Sequence, residues 1–333
     1  MNTKNFAPSW FASVMGTGGL ALVSNAYSKY LFILKDFGIF LTYLNTALFF
    51  ILLIPWIHRW VKFREYAIKD LVHPAISHFY GTIAIGLLVL SADYLLILKS
   101  FVISFYLWVF GAALTILFSF LIPYLMFIQK DIDLKNVTPA WFIPPVGLIV
   151  IPLSGGFFIN HFGGVIREIL VFINYFAWGS GFFLYLALFS VVMHRFITHE
   201  PMPCGMAPSI WINLGPIGAG TSTLIILASN SYFISFKDIF FGLALIFWGF
   251  GVWWFFMAVI MTIHYIKNLN LPYSLAWWAF IFPLAAYVSG SHSVASVFQL
   301  EVVDYFGFSL YFLLLALWTI TSIKTIINLT KGR

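Results

Sequence analysis

The sequence predicts an all-α integral membrane protein: ten transmembrane helices, paired as five helical hairpins with quasi-fivefold symmetry around a central pore. Composition is the first observation behind this. Apolar residues make up 62% of the 333 residues and charged residues 8%, where a soluble domain carries roughly a quarter charged. The second is the character of the apolar runs, such as 239–263 and 306–320, which contain no charge. They lack strict alternation and outrun a barrel strand, so of the two structures that satisfy their own backbone inside a bilayer they specify helices. Repetition is the third. Pro8, Pro74, Pro139, Pro208 and Pro272 each open a long apolar stretch, at intervals of 66, 65, 69 and 64 residues. A tryptophan follows in four of the five: Trp10, Trp141, Trp211 and the Trp277-Trp278 pair. So regular a period marks one supersecondary unit used repeatedly, and roughly 65 residues hold two spans of about 20 residues each plus their loops.

The elements follow in order within a single domain, 1–333. Residues 8–57 form the first hairpin, with spans near 8–26 and 37–57. Lys4, the apolar run and Ser24-Asn25-Ala26 loosely resemble a cleaved leader, but the Pro8/Trp10 signature belongs to the repeat, so the segment is retained. The second hairpin, 74–128, holds spans 74–96 and 101–128. The third, 139–193, holds 139–159 and 166–193, and the fourth, 208–263, holds 208–230 and 238–263. The last, 272–323, holds 272–298 and 305–323. Odd spans are rich in small residues and interior prolines (Pro144, Pro145, Pro152, Pro216, Pro283) that would bend a helix. Even spans are bulkier. Odd helices are therefore expected inside and even helices outside, with the aromatic stretch 240–256 (Trp248, Trp253, Trp254) facing lipid or another subunit.

Loop charge sets the orientation. One side collects Lys4, Arg59, Lys62, Arg64, Lys69, Lys130, Lys135, Arg195, Lys267, Lys324, Lys331 and Arg333; the other holds Lys29, Lys35, Lys99, Arg167 and Lys237. Twelve against five predicts a multi-pass protein of the cell membrane with both termini cytoplasmic. The net charge of +6 is then a topology signal rather than affinity for nucleic acid. Cys204 is the sole cysteine, which excludes an internal disulfide. No metalloprotease, Walker or nucleophile-elbow motif is present, so neither catalysis nor a cofactor is expected. The pairs His73/His78 and His194/His199 are five apart, off a shared helix face, and read as interfacial. His292 is a vestibular candidate. Asp36, Asp93, Glu168, Asp238, Glu301 and Asp304 fall at span ends or in outer loops, which argues against a carboxylate-relay pump. Arg195, the nearest approach to an intramembrane arginine, sits at a span end.

A helix rises about 1.5 Å per residue, so ten residues past an opening proline lies near mid-membrane. Those positions are Gly18, Ala84, Ile149, Gly218 and Phe282. A phenylalanine facing small walls can close a pore by sterics and dewetting, although with 39 phenylalanines a plain buried aromatic is the competing reading. Phe282 is the candidate gate, and Gly16, Gly19, Thr82, Pro145, Gly147, Gly215, Gly218 and Pro283 are the candidate pore-lining residues. Helix dipoles are not expected to be the main attraction for anions, because no span is clearly broken.

Pro8-Ser-Trp-Phe-Ala-Ser-Val-Met-Gly-Thr-Gly-Gly19 resembles the opening helix of the tellurite-resistance/dicarboxylate transporter family. The segment from His73 through Thr82 looks like the start of that family's third helix. Ala276-Trp-Trp-Ala-Phe-Ile-Phe-Pro283 is similar to the ninth helix of bacterial TehA proteins and plant slow-type anion channels. The resemblance covers essentially the whole chain. It implies homotrimers with one pore per protomer, and a phenylalanine, here Phe282, occluding each pore. It also implies small inorganic or organic anions as the transported species. The expected activity is that of an anion channel or transporter; the alternative on the same scaffold is a proton-coupled carrier of C4-dicarboxylates such as malate, or of sulfite or tellurite. The long tails of the plant members are missing, so kinase control through them is not expected.

Overall fold

A computed structural model describes residues 3–130 and 132–330, which are helical with no strand among them. Lys331 and Arg333, counted above in the charge bias, lie outside the described residues. The α-helices run α1 Ala12–Ala26, α2 Ile33–Lys62, α3 Arg64–Leu71, α4 Gly81–Leu96, α5 Phe101–Phe127, α6 Ile143–Val150, α7 Pro152–His161, α8 Gly164–Thr198, α9 Leu214–Asn230, α10 Lys237–His264, α11 Ile281–Phe298 and α12 Glu301–Thr330. Nine segments among the described residues are long and apolar enough to cross a membrane. The segment Pro8–Ala26, a 3₁₀ turn running into α1, is shorter and packs against α2, α4 and α11.

The small-residue helices are the inner ones. α1 packs on α4, α4 on α6 and α7, these on α9, α9 on α11, and α11 back on α1, closing a ring. Each outer helix packs chiefly on the inner segment before it: α2 on α1, α5 on α4, α8 on α6 and α7, α10 on α9 and α12 on α11. Burial separates the two sets. In the inner segments from Ser77, Pro139, Cys204 and Leu275 onward, 78, 89, 94 and 72% of the apolar window is buried. In the five outer ones the share is 22–33%.

The prolines act differently from expectation. Inner segments begin with 3₁₀ turns (Pro8–Phe11, Ser77–Tyr80, Pro139–Phe142, Cys204–Asn213, Leu275–Phe280) before turning α-helical. Pro144, Pro145, Pro152, Pro216 and Pro283 all fall within the first three residues of an α-helix. There a missing N–H forfeits little and the fixed φ favours the helix start. Four of them mark where the α-conformation begins rather than bends within it; Pro152, which follows α6 and the αR residue Ile151, lies inside its span and interrupts the helix as expected. The third inner segment is the one that breaks, at Ile151 between α6 and α7, and the indole of Trp108 donates to the Ile151 carbonyl at 2.9 Å.

That indole belongs to a wider pattern in which outer helices are tied to the inner ring. Trp178 donates to Thr223 at 3.1 Å, Trp254 to the Ile210 carbonyl at 2.9 Å, Trp248 to Ser291 at 2.9 Å and Trp318 to Thr17 at 3.0 Å. Each such bond contributes about 0.5–1.5 kcal/mol net and orients the ring that makes it. The aromatic stretch of α10 is therefore two-sided: Trp254 is buried and Trp253 exposed. Outer helices also exceed their predicted spans, α2 covering 33–62 and α8 164–198, because polar residues at their ends continue the helix past the apolar core. The short α3 is pinned by the Arg59–Asp70 ion pair at 2.6 Å and by the Tyr80 hydroxyl on the Ala67 carbonyl, also at 2.6 Å. His78, in the turn that opens its inner segment, is buried and stacks on Trp141 with ring centroids 4.8 Å apart.

Candidate functional site: two chambers divided by Phe282

Inner helices turn the same face to the middle at steps of three and four. On the fourth inner segment Ser209, Ile212, Gly215, Ala219 and Ser222 follow this rhythm, and on the fifth Ala279, Phe282, Ala286 and Ser289. The faces enclose two cavities in the ring. The first, about 50 Å³, lies toward the N-terminal ends of the inner helices and is lined by Ala12, Thr82, Val146, Gly215 and Phe282 among others. The second, about 30 Å³, lies beyond it and includes Gly19, Val89, Leu153, Ser222, Ser289 and again Phe282. All five inner segments contribute to each cavity, and Phe282 is the one side chain present in both walls.

The ring sits where two glycines leave room. A Cβ on Gly19 would stand 3.8 Å from Phe282 Cδ2, and one on Gly215 would stand 3.9 Å from Cε1. Phe282 is 7% exposed. Both cavities exceed the about 10–15 Å³ that admits a water, but their walls are mostly apolar, which favours dewetting at the ring. No charged residue lines either cavity. The wall hydroxyls of Thr82, Ser209, Ser222 and Thr223 donate to backbone carbonyls at 2.6–3.1 Å.

One feature departs from the expectation that helix ends play little part because no span is broken: the third inner segment is interrupted at Ile151, and the α-helical starts converge. Ala12, Thr82, Ile143, Gly215 and Phe282 are each the first or second residue of an α-helix and all line the first cavity. The first α-helical turns of all five inner segments thus meet around it, each continuing from a 3₁₀ turn. The alternation of proline and tryptophan was the signal, since it marks where each 3₁₀ start gives way to α-helix.

Of the candidate pore residues, Gly19, Thr82, Gly215, Phe282 and Pro283 line a cavity. The others do not. Gly16 faces Ile281 and Trp278, Gly147 faces Thr115 of α5, and Gly218 faces the backbone of Ala286 and Tyr287. Pro145 lies with Pro144 on a separate lateral cleft against α5 and α8. Equal counting from the opening prolines failed because 3₁₀ turns rise about 2.0 Å per residue and differ in length between repeats. Gly18, Ala84, Ile149 and Gly218 consequently miss the cavity walls, and Gly18 abuts Val89, Asn45 and Asp93.

Asp93 lies in the last turn of α4, at a span end as expected, but it is fully buried and accepts a 3.4 Å hydrogen bond from Asn45 Nδ2. Oδ1 of both residues has no partner. Asp304 is buried as well, receiving bonds from Lys29 at 2.5 Å, Tyr30 at 2.7 Å and His292 at 3.0 Å. Donation to Asp304 pushes the Tyr30 hydroxyl up to about 12. His292 is engaged in this cluster and lines neither cavity.

Residues 5–326 match the profile of the voltage-dependent anion channel family. The chain belongs to that family. An uncharacterized transporter of Methanocaldococcus jannaschii is 54% identical over 322 residues, 97% of this chain and 93% of the relative. A sulfite efflux pump of Arthroderma benhamiae is 24% identical over 343 residues, 97% and 90% of the two chains. A malic acid transport protein of Schizosaccharomyces pombe is 23% identical over 343 residues, 95% and 76%. This member of the voltage-dependent anion channel family is therefore a multi-pass membrane protein and an anion channel or transporter.

Proposed function

We propose that the chain conducts small anions through the middle of its inner ring and that the Phe282 ring is the gate. The observation that carries this reading is that Phe282 alone belongs to the walls of both cavities. An anion would enter where the five α-helical starts converge, pass hydroxyls and apolar side chains without meeting a fixed countercharge, and be stopped at the ring. The basic bias supports a cell-membrane protein with both termini in the cytoplasm: among the described residues ten Lys and Arg lie at that end and five at the other. The resemblance supports a homotrimer with one path in each protomer. The relatives named for sulfite and malic acid support a small oxyanion or carboxylate as cargo. The role requires no chemical conversion of the anion.

The deciding measurement is anion current through planar bilayers containing purified protein under a chloride gradient. The native protein passes almost no current. Phe282→Ala passes a large one that reverses near the anion equilibrium potential. Silence from both proteins rejects the gate.

The buried Asp93 favours one competing reading, a proton-coupled carrier on the same scaffold, because Val89, one turn before it, lines the second cavity. Uptake of malate or sulfite against its gradient, driven by an imposed ΔpH and lost in Asp93→Asn, would establish that carrier instead.

A further inference from the structure

At the basic end, outside the inner ring, α8 and α10 flank a cleft of about 230 Å³. Arg195, in the last turn of α8, lines it and is 5% exposed. Its Nη1 donates to the Glu200 carbonyl at 2.8 Å, while Nε has no partner. No ion pair engages Arg195 among the described residues. A buried guanidinium lacking a countercharge is costly, and this one borders an open space. His199 lines the same cleft one turn on, and no carboxylate does. Asp133, which acts on His199 only through space, is already paired with Lys135 at 3.0 Å.

The remaining wall is of another kind. Phe196, Met193, Trp253, Met257 and Met261 line it, and it continues onto the outward face of α10, where Trp253, Phe256 and Ile260 are 49, 53 and 58% exposed. A free inorganic anion has no use for methionine and tryptophan, and an apolar ligand has none for an unpaired guanidinium. A cation beside an apolar groove at the headgroup level matches one ligand that carries both characters.

We infer that this cleft is a binding site for an anionic phospholipid. The phosphodiester accepts from the Arg195 guanidinium, which carries no countercharge, and an acyl chain lies along the methionine–tryptophan wall. A zwitterionic lipid finds no acidic side chain in the cleft for its ammonium, so the site discriminates by headgroup charge.

The test uses the full-length protein in detergent, titrated with short-chain phosphatidylglycerol, phosphatidylcholine or inorganic phosphate. Thermal unfolding and native mass spectrometry provide the readouts. Phosphatidylglycerol is expected to bind at least tenfold more tightly than phosphatidylcholine and to raise Tm, while inorganic phosphate does neither. Arg195→Gln should lose the preference. Met257→Trp, which fills the groove and leaves Arg195 in place, should weaken binding at least tenfold and covers the case in which the arginine variant fails to fold. Equal binding of the two lipids, full stabilisation by phosphate alone, or undiminished binding in both variants overturns the assignment. Disulfide cross-linking of two copies through Trp253→Cys also overturns it, since the cleft would then be covered by protein.

Discussion

The Phe282 ring rests against Gly215: a Cβ on that glycine would stand 3.9 Å from Cε1 of the ring and 3.9 Å from Cβ of Pro283. That separation is ordinary van der Waals contact, so the ring is supported without being compressed. Gly215→Ala should therefore fold normally, with stability within about 0.5 kcal/mol of the native protein. It should also leave current at the native low level, since the added methyl narrows the space into which the ring could turn. Bilayer recording alongside Phe282→Ala checks this, and a Gly215→Ala channel that opens spontaneously would contradict it.

Removing the ring itself should be mild for a large-to-small change. Phe158 and Phe142 are fully buried among other side chains, and truncating either to alanine should cost about 3–5 kcal/mol. Phe282 has cavity on two sides, so it has fewer contacts to lose. Chemical denaturation in detergent should place Phe282→Ala clearly below Phe158→Ala in cost.

Gly218 behaves oppositely to Gly215. A Cβ there would lie 2.3 Å from the Ala286 carbonyl carbon and from the Tyr287 nitrogen, which are backbone atoms that cannot rotate away. Gly218→Ala should cost about 1–3 kcal/mol or more by forcing α9 and α11 apart. Gly179 in α8 has nothing within 4 Å, and alanine there should stabilise by about 0.5–1 kcal/mol through helix propensity. Paired melting curves read both signs.

Asn45 and Asp93 form an incomplete pair, each with an unpartnered Oδ1. Asp93→Asn supplies an amide donor for the Asn45 oxygen and should be well tolerated. Asp93→Ala strands Asn45 in the interior and should cost about 1–3 kcal/mol. Equal melting temperatures for the two variants would show that the pair does not support the fold.

At the helix break, Trp108 donates to the Ile151 carbonyl at 2.9 Å. Trp108→Phe keeps most of the packing and removes the donor, so about 1–3 kcal/mol should be lost. Hydrogen exchange should rise locally around residues 150–155, and unchanged protection there would argue against the role.

The proline period made the order of the elements legible, because a residue without an N–H is best placed at a helix start wherever the unit recurs. Small residues against bulky ones separated inner from outer helices for the same reason that backbones approach closely only where side chains are short. The azimuth of individual residues was harder to read. Gly215 and Gly218 are alike in the sequence, yet one meets a cavity and the other a neighbouring helix, because on this turn of α9 it is the residue four on, Ala219, that shares the lining face. Arg195 and Asp93 were placed near water because position along a span was legible and burial against other helices was not. Phe282 stood out through its setting before Pro283 and after the paired tryptophans.

The ring of inner helices closes only when α11 docks against α1, and α11 is the last inner segment in the chain. The same helix carries Phe282. During synthesis, a nascent chain that has inserted four repeats has an open groove facing lipid and no enclosed lumen. The fifth repeat brings the final wall and Phe282 together, so if Phe282 is the gate proposed above, assembly never passes through a closed ring that lacks it. On that reading, a product ending before residue 275 would lack the wall that closes the ring and the side chain that blocks it alike.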